Sequence, residues 1–146
     1  SAILILKQVL LDNNCFNSDV SSGQDVELWT KIGITNLVAI NNKITVIYNY
    51  DLPNSLTKTP ITKKTLVDFS QFATAEKENK SLKKFLDIYR LEYALQFKIA
   101  GSFKQSQFYL KDITSKIPLK TRFLLQLPVS FLRFFLKLPV RGKSEV

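Results

Sequence analysis

The chain has 146 residues, 45% of them hydrophobic, enough for a domain with a real core and too apolar for a disordered segment. With no histidine and a single cysteine, Cys15, it cannot form an intrachain disulfide or hold a Ser-His-Asp or Cys-His triad, and any metal site would fall to carboxylates. The formal charge is +9 and uneven: from Lys116 onward seven basic residues stand against one acid, Glu145, a net +6 that points to an anionic partner for the tail.

Residues 2–5 form an apolar run of strand formers. The run begins as if in mid-strand, and no methionine occurs even at position 1, so sequence upstream of Ser1 is expected. Lys7 follows the apolar run instead of preceding it, which is not a signal-peptide pattern. Residues 7–11 read as a short helix, stopped by Asp12-Asn13-Asn14. A second helix starts near Ser21-Ser22-Gly23-Gln24, where Ser21 and Gln24 have capping-box spacing. Val26, Trp29 and Ile32 mark its apolar face, and Gly33 suits its end.

Residues 37–40 and 44–50 read as two strands joined at Asn41-Asn42-Lys43. Residues 51–55 form a loop, and Pro60 marks a further break. The pattern up to residue 60 is therefore mixed α/β. Beyond it the chain turns helical. Between residues 77 and 100, Leu82, Phe85, Leu86, Tyr89, Tyr93, Phe97 and Ala100 form a helical stripe. Gly101 is a natural C-cap, and residues 102–114 are expected to pack back as a hairpin through Phe103, Leu110 and Ile113.

Pro118, Pro128 and Pro139 divide the tail. Between the last two, Ser130, Arg133 and Lys137 share a narrow helical face and apolar residues cover the rest. Such a helix is about 15 Å long, too short for the roughly 20 apolar residues of a membrane span. A basic amphipathic element in the membrane interface is one reading, and a greasy helix docked on the domain is the other. Phe131, Phe134 and Phe135 lie within an aliphatic face rather than alternating with basic residues, so a nucleic-acid partner is not expected.

Asp25 is the candidate for chemistry. It falls in the first turn of the second helix, where the positive helix end favours a carboxylate, and an ionised carboxylate there can take a proton from an attacking hydroxyl. Such residues also simply complement the helix dipole. Glu27 lies two residues on and faces elsewhere, so the two are no carboxylate pair. Trp29 is one turn beyond Asp25, placed either to face a sugar ring or to fill the core. No Walker loop, Gly-rich dinucleotide turn or Asp-x-Asp occurs.

The run Ser22-Gly23-Gln24-Asp25-Val26-Glu27-Leu28-Trp29 resembles the Gly-Glu-Asp-x-x-Leu-Trp segment of bacterial family 2 glycosyltransferases. Phe16-Asn17-Ser18-Asp19 resembles the Phe-Asp-Glu loop before it, and Tyr48 with Asn54-Ser55-Leu56-Thr57 resembles the stretch that closes the catalytic domain. The resemblance covers about residues 1–60. It implies the C-terminal portion of a GT-A-type, Rossmann-like α/β domain (1–60), followed by a helical extension (61–115) and a basic amphipathic tail at the membrane interface (116–146).

It further implies transfer of a sugar, with inversion, from a nucleotide-sugar to a glycan or lipid-linked acceptor. Asp25 would be the general base, with Gly23, Gln24 and Trp29 on the acceptor side. A divalent metal, Mg²⁺ or Mn²⁺, is expected in the intact enzyme, with its ligands outside this chain. Asp51, where many relatives carry histidine, is a weak metal candidate. Gln24 replaces the usual glutamate and removes a second acidic contact to the acceptor. The isolated chain is accordingly expected to be inactive. The implied location is cytoplasmic, peripheral at the inner membrane. The competing expectation is a non-enzymatic adaptor that docks on anionic membranes through the tail.

Overall fold

A computed structural model describes residues 3–41, 43, 44, 46, 47 and 59–137, with side chains up to Phe134. Among the described residues seven α-helices form: α1 Lys7–Asp12, α2 Gln24–Thr35, α3 Ala73–Glu78, α4 Lys80–Ala100, α5 Phe103–Leu110, α6 Leu119–Gln126 and α7 Val129–Lys137. The chain divides into two compact units, Ser1–Glu78 and Asn79–Val146.

The expected α/β fold is overturned. Among the described residues there is no β-strand, only an isolated parallel bridge between Ser22 and Leu66, and hence no part of a GT-A sheet. Residues 3–6 and 37–41 have strand-forming sequences but pair with nothing as a ladder, and Leu4, Leu37 and Ile40 are exposed. A strand exists only through hydrogen bonds to a neighbour, so a strand-like pattern without a partner stays an unpaired chain. The 44–50 strand and the Tyr48, Asp51 and Asn54–Thr57 features fall largely or wholly outside the described residues.

In the first unit, the second helix begins two residues later than its capping-box spacing predicts. Gly23 is the residue before the first turn, at φ +91°, and no side chain caps α2. The Ser21 hydroxyl is engaged elsewhere: it accepts the Thr65 N–H at 2.9 Å, while the Ser21 and Ser22 N–H groups donate to the Thr65 carbonyl. This clip ties the head of α2 to a segment 44 residues away. Gly33 lies inside α2 rather than at its end, and the helix continues to Thr35. The buried apolar residues of the unit are Val26, Leu28, Ile32, Ile61, Val67, Phe69 and Phe72. Asp68 caps the 3-10 turn Phe69–Phe72 by accepting the Ser70 N–H at 2.9 Å.

The second unit is a helical hairpin with two short helices docked on it. Asn79 starts α4 by accepting the N–H groups of Ser81 and Leu82, both at 3.0 Å, and this cap splits the expected continuous helix from residue 77. Gly101, at φ +87°, ends α4: its N–H reaches the Lys98 carbonyl, and the Ser102 N–H reaches that of Phe97. That pattern is a Schellman cap, and glycine adopts its left-handed backbone without strain. α5 packs back on α4. Its inward face differs from expectation: Phe103 is exposed, Ser106 is buried, and Tyr109 stacks on Phe97 at 5.8 Å and meets Tyr93 edge-on at 5.4 Å. Small Ser106 lets the helices approach while Tyr109 supplies the apolar contact.

Asp87, only 3% exposed, fastens the loop after α5 to α4. One carboxylate oxygen accepts Lys83 and Arg90; the other accepts the N–H groups of Thr114 at 3.2 Å and Ser115 at 2.9 Å. Burial alone would raise the Asp87 pKa, but hydrogen bonds from Lys83 and Ser115 outweigh it and hold the group below the ordinary aspartate value. Lys98 donates to the Leu125 carbonyl in α6, and Arg133 Nε donates to the Ile99 carbonyl at 2.9 Å, which docks α7 on the C-terminal end of α4. Burial lowers the Lys98 pKa. No helix among the described residues is long and apolar enough to cross a membrane.

Because the folded Asp87 pKa is depressed, its stabilisation is fully present above about pH 3.9 and is lost as pH falls through the lower folded value. Asp87→Ala removes the buried carboxylate that Lys83, Arg90 and two N–H groups share, so it should destabilise the unit by about 3 kcal/mol at neutral pH. Urea unfolding followed by far-UV circular dichroism measures this, and the mutant's deficit should shrink as the solution is acidified below the aspartate range.

Candidate functional site

The head of α2 carries both carboxylates singled out above, and the structure gives them opposite roles. Glu27 is 4% exposed. Its Oε1 accepts Lys31 Nζ at 2.5 Å and its Oε2 accepts Asn17 Nδ2 at 3.4 Å. The Lys31 pair is the favoured helical arrangement, acid four residues ahead of base. The Asn17 bond ties the preceding loop to α2. Glu27 is therefore committed to holding structure.

Asp25 is exposed, and its Oδ1 accepts the adjacent Val26 N–H at 2.9 Å. It forms no ion pair among the described residues, which leaves the carboxylate open to solvent on its outer side. Gly23 sets the chain direction just before it, and Gln24 is the half-buried first helical residue. The geometry thus leaves available the carboxylate that the sequence motif singles out, and consumes the other.

Trp29 is half-buried, one helical turn after Asp25. Its ring meets Phe16 edge-on at 5.6 Å between centroids. Its buried Nε1 has no hydrogen-bond partner among the described residues, and neither does the Thr30 hydroxyl. Phe16 was not singled out as a site residue in the sequence; the signal for it is positional, an aromatic following Asn13-Asn14-Cys15. Asn14 and Cys15 both adopt left-handed backbone, φ +60° and +53°, which turns the loop sharply after α1. Asparagine tolerates that region and cysteine much less.

Among the described residues no group of three or more His, Cys, Asp or Glu side chains is placed to hold a metal ion, and Asp51 lies outside them. The described residues therefore do not fit a divalent-metal site, and no chemistry below runs through one. Comparison with known protein families, with characterised proteins and with solved structures gives no match.

The division of labour predicts different responses to mutation. Asp25→Asn should change stability by less than about 0.5 kcal/mol, as expected for an exposed side chain. Glu27→Ala should cost about 1–2 kcal/mol through loss of two partnered acceptor oxygens in a buried place. Thermal unfolding of both variants beside the wild type checks the contrast.

Proposed function

We propose that the protein takes part in glycosyl transfer, with Asp25 as the base that activates the acceptor. The observation that carries this reading is the selective availability of Asp25: within Ser22–Trp29 it is exposed and unpaired by any cation, whereas Glu27 is buried and used up. The reading rests on this residue run, not on a sheet.

In the proposed step Asp25 accepts the proton of an acceptor hydroxyl as that oxygen attacks the anomeric carbon of a nucleotide-sugar. The bond to the nucleotide diphosphate breaks on the opposite face, which inverts the configuration. The acceptor is a glycan or a lipid-linked sugar. An exposed carboxylate held by one N–H bond has a free oxygen to receive that proton. In the full-length protein, Asp25→Asn should lower transfer by about 10²–10⁴-fold, the usual contribution of a general base, with donor binding little changed. Transfer at the wild-type rate would remove Asp25 from this role.

The tail favours a location at the cytoplasmic face of the inner membrane, held peripherally. Leu119 and Phe123 on α6 and Phe131 and Phe134 on α7 are exposed, Leu119 to 80%. Exposed Lys116, Lys120 and Arg122 lie beside them. Apolar side chains among cations, with no acid from Ile113 to Ser144, suit an anionic lipid surface. The same observation favours the second reading, a non-enzymatic membrane adaptor. Loss of transfer in Asp25→Asn separates the two, since an adaptor has no transfer to lose.

Vesicles of phosphatidylglycerol should bind the chain, and those of phosphatidylcholine alone should bind it much more weakly. Raising the salt should weaken binding, because the cations are exposed. Replacing Phe123 and Phe131 together with serine should weaken it further at every salt concentration. Vesicle co-sedimentation measures all three, and equal binding to both lipids would rule out the charge contribution.

A further inference from the structure

The 21-residue helix α4 has two unlike sides. On one, Leu86, Tyr93, Ala94 and Phe97 are buried, and Tyr93 and Phe97 meet Tyr109 of α5. The opposite side carries Ser81, Phe85, Ile88, Glu92, Leu95 and Ile99, in alternating steps of four and three residues. That alternation keeps a row on one side of a helix, and it is the spacing with which two helices meet along a seam.

The row is covered at one end only. Leu95 and Ile99 are half-buried, near where Lys98 and Arg133 dock α6 and α7. Phe85 and Ile88 are 42% and 57% exposed. Tyr89 meets the Phe85 ring edge-on at 5.2 Å, which holds that ring in place on the open surface.

The charges beside this apolar pair are placed symmetrically. Lys84 lies four residues before Ile88 and Glu92 four residues after it, both exposed. Each is therefore one turn, about 6 Å, from Ile88 along the helix axis. Neither forms an ion pair among the described residues. Lys83, the neighbour of Lys84, is taken by Asp87, and Glu92 accepts the neutral Gln96 amide at 3.0 Å.

We propose that this face of α4 binds a second copy of the chain, with the two α4 helices antiparallel and crossing at Ile88. Opposite charges at equal steps about an apolar centre are self-complementary under a two-fold axis. The two Ile88 side chains then meet at the crossing, with a Phe85 on either side. Lys84 of each copy comes level with Glu92 of the other, so the ion pair forms twice. An anionic lipid surface fits this face poorly, because Glu92 stands in the middle of the row. An inclined crossing limits the contact to roughly three turns of each helix, so the dimer is weak and depends on concentration. The inference is independent of the transferase and membrane readings.

Sedimentation equilibrium of the whole chain, loaded from about 10 µM to about 1 mM, covers the range in which a small interface shows itself. The wild type should shift from monomer to dimer across it. Ile88→Ser should weaken association about tenfold, through loss of the central apolar contact. Lys84→Glu alone and Glu92→Lys alone should each weaken it at least about tenfold, because each turns both attractive pairs into repulsive ones. Mixing those two variants in equal amounts should restore a dimer, since every pair across the interface again joins opposite charges. Both substituted positions are exposed, and recovery on mixing shows that each variant is folded.

A wild type that stays monomeric throughout overturns the proposal. So does a dimer indifferent to Ile88→Ser and to both charge reversals, or one that the mixture fails to restore. If all forms were monomeric and Ile88→Ser instead weakened binding to phosphatidylglycerol vesicles, the face would belong to lipid and the two-fold contact would fall.

Discussion

A carboxylate taken out of water must be met by cations and N–H donors, and each compact unit contains one that is. Asp87 in the second unit gathers Lys83, Arg90 and two backbone N–H groups, so a loop without regular structure is fixed to the longest helix. Glu27 in the first unit holds Lys31 and Asn17, and through Asn17 it fixes the loop that carries Phe16. Neither acid is available for chemistry. Asp25, on the same helix turn as Glu27, is free of this requirement because it is exposed to water, where a carboxylate needs no partner.

The same contrast explains what the sequence discloses. Helices close through bonds four residues apart, so α1, α2, α4 and α7 are legible from local periodicity, and Gly101 announces the hairpin. Residues 3–6 and 37–41 show the limit of that approach. Their side chains prefer a strand, but a ladder needs a neighbour that no local pattern specifies. Ser21 fails for the same reason, since its hydroxyl has a choice between its own helix and Thr65, and the distant partner wins. Ser106 and Tyr109 take the inner face of α5 because close approach there favours one small and one aromatic residue over the more apolar Phe103.

At the candidate site, sequence spacing alone establishes that Asp25 and Glu27 do not form a pair and that Asp25 and Trp29 are neighbours. It does not reveal which carboxylate is buried. Both positions are acidic residues in a first turn, and they are told apart only by Asn17 and Lys31 closing around one of them. Phe16 is hidden for a related reason. Its approach to Trp29 depends on two left-handed residues, and cysteine carries no propensity that would announce the turn.

The tail helix α7 presents two distinct faces. On α7, Leu132 is buried and Arg133 reaches the Ile99 carbonyl, while Phe131 and Phe134 face outward. The two sequence readings, docked helix and interfacial helix, are thus not exclusive: the face that docks is a different face from the one left exposed. Docking also bears on the proposed membrane contact. A free segment of eight or nine residues must pay for helix nucleation when it meets a lipid surface. Here Lys98 and Arg133 hold α6 and α7 against α4 beforehand, so in the proposed membrane contact the ordering would already be done and more of the transfer free energy of the exposed phenylalanines would remain for binding.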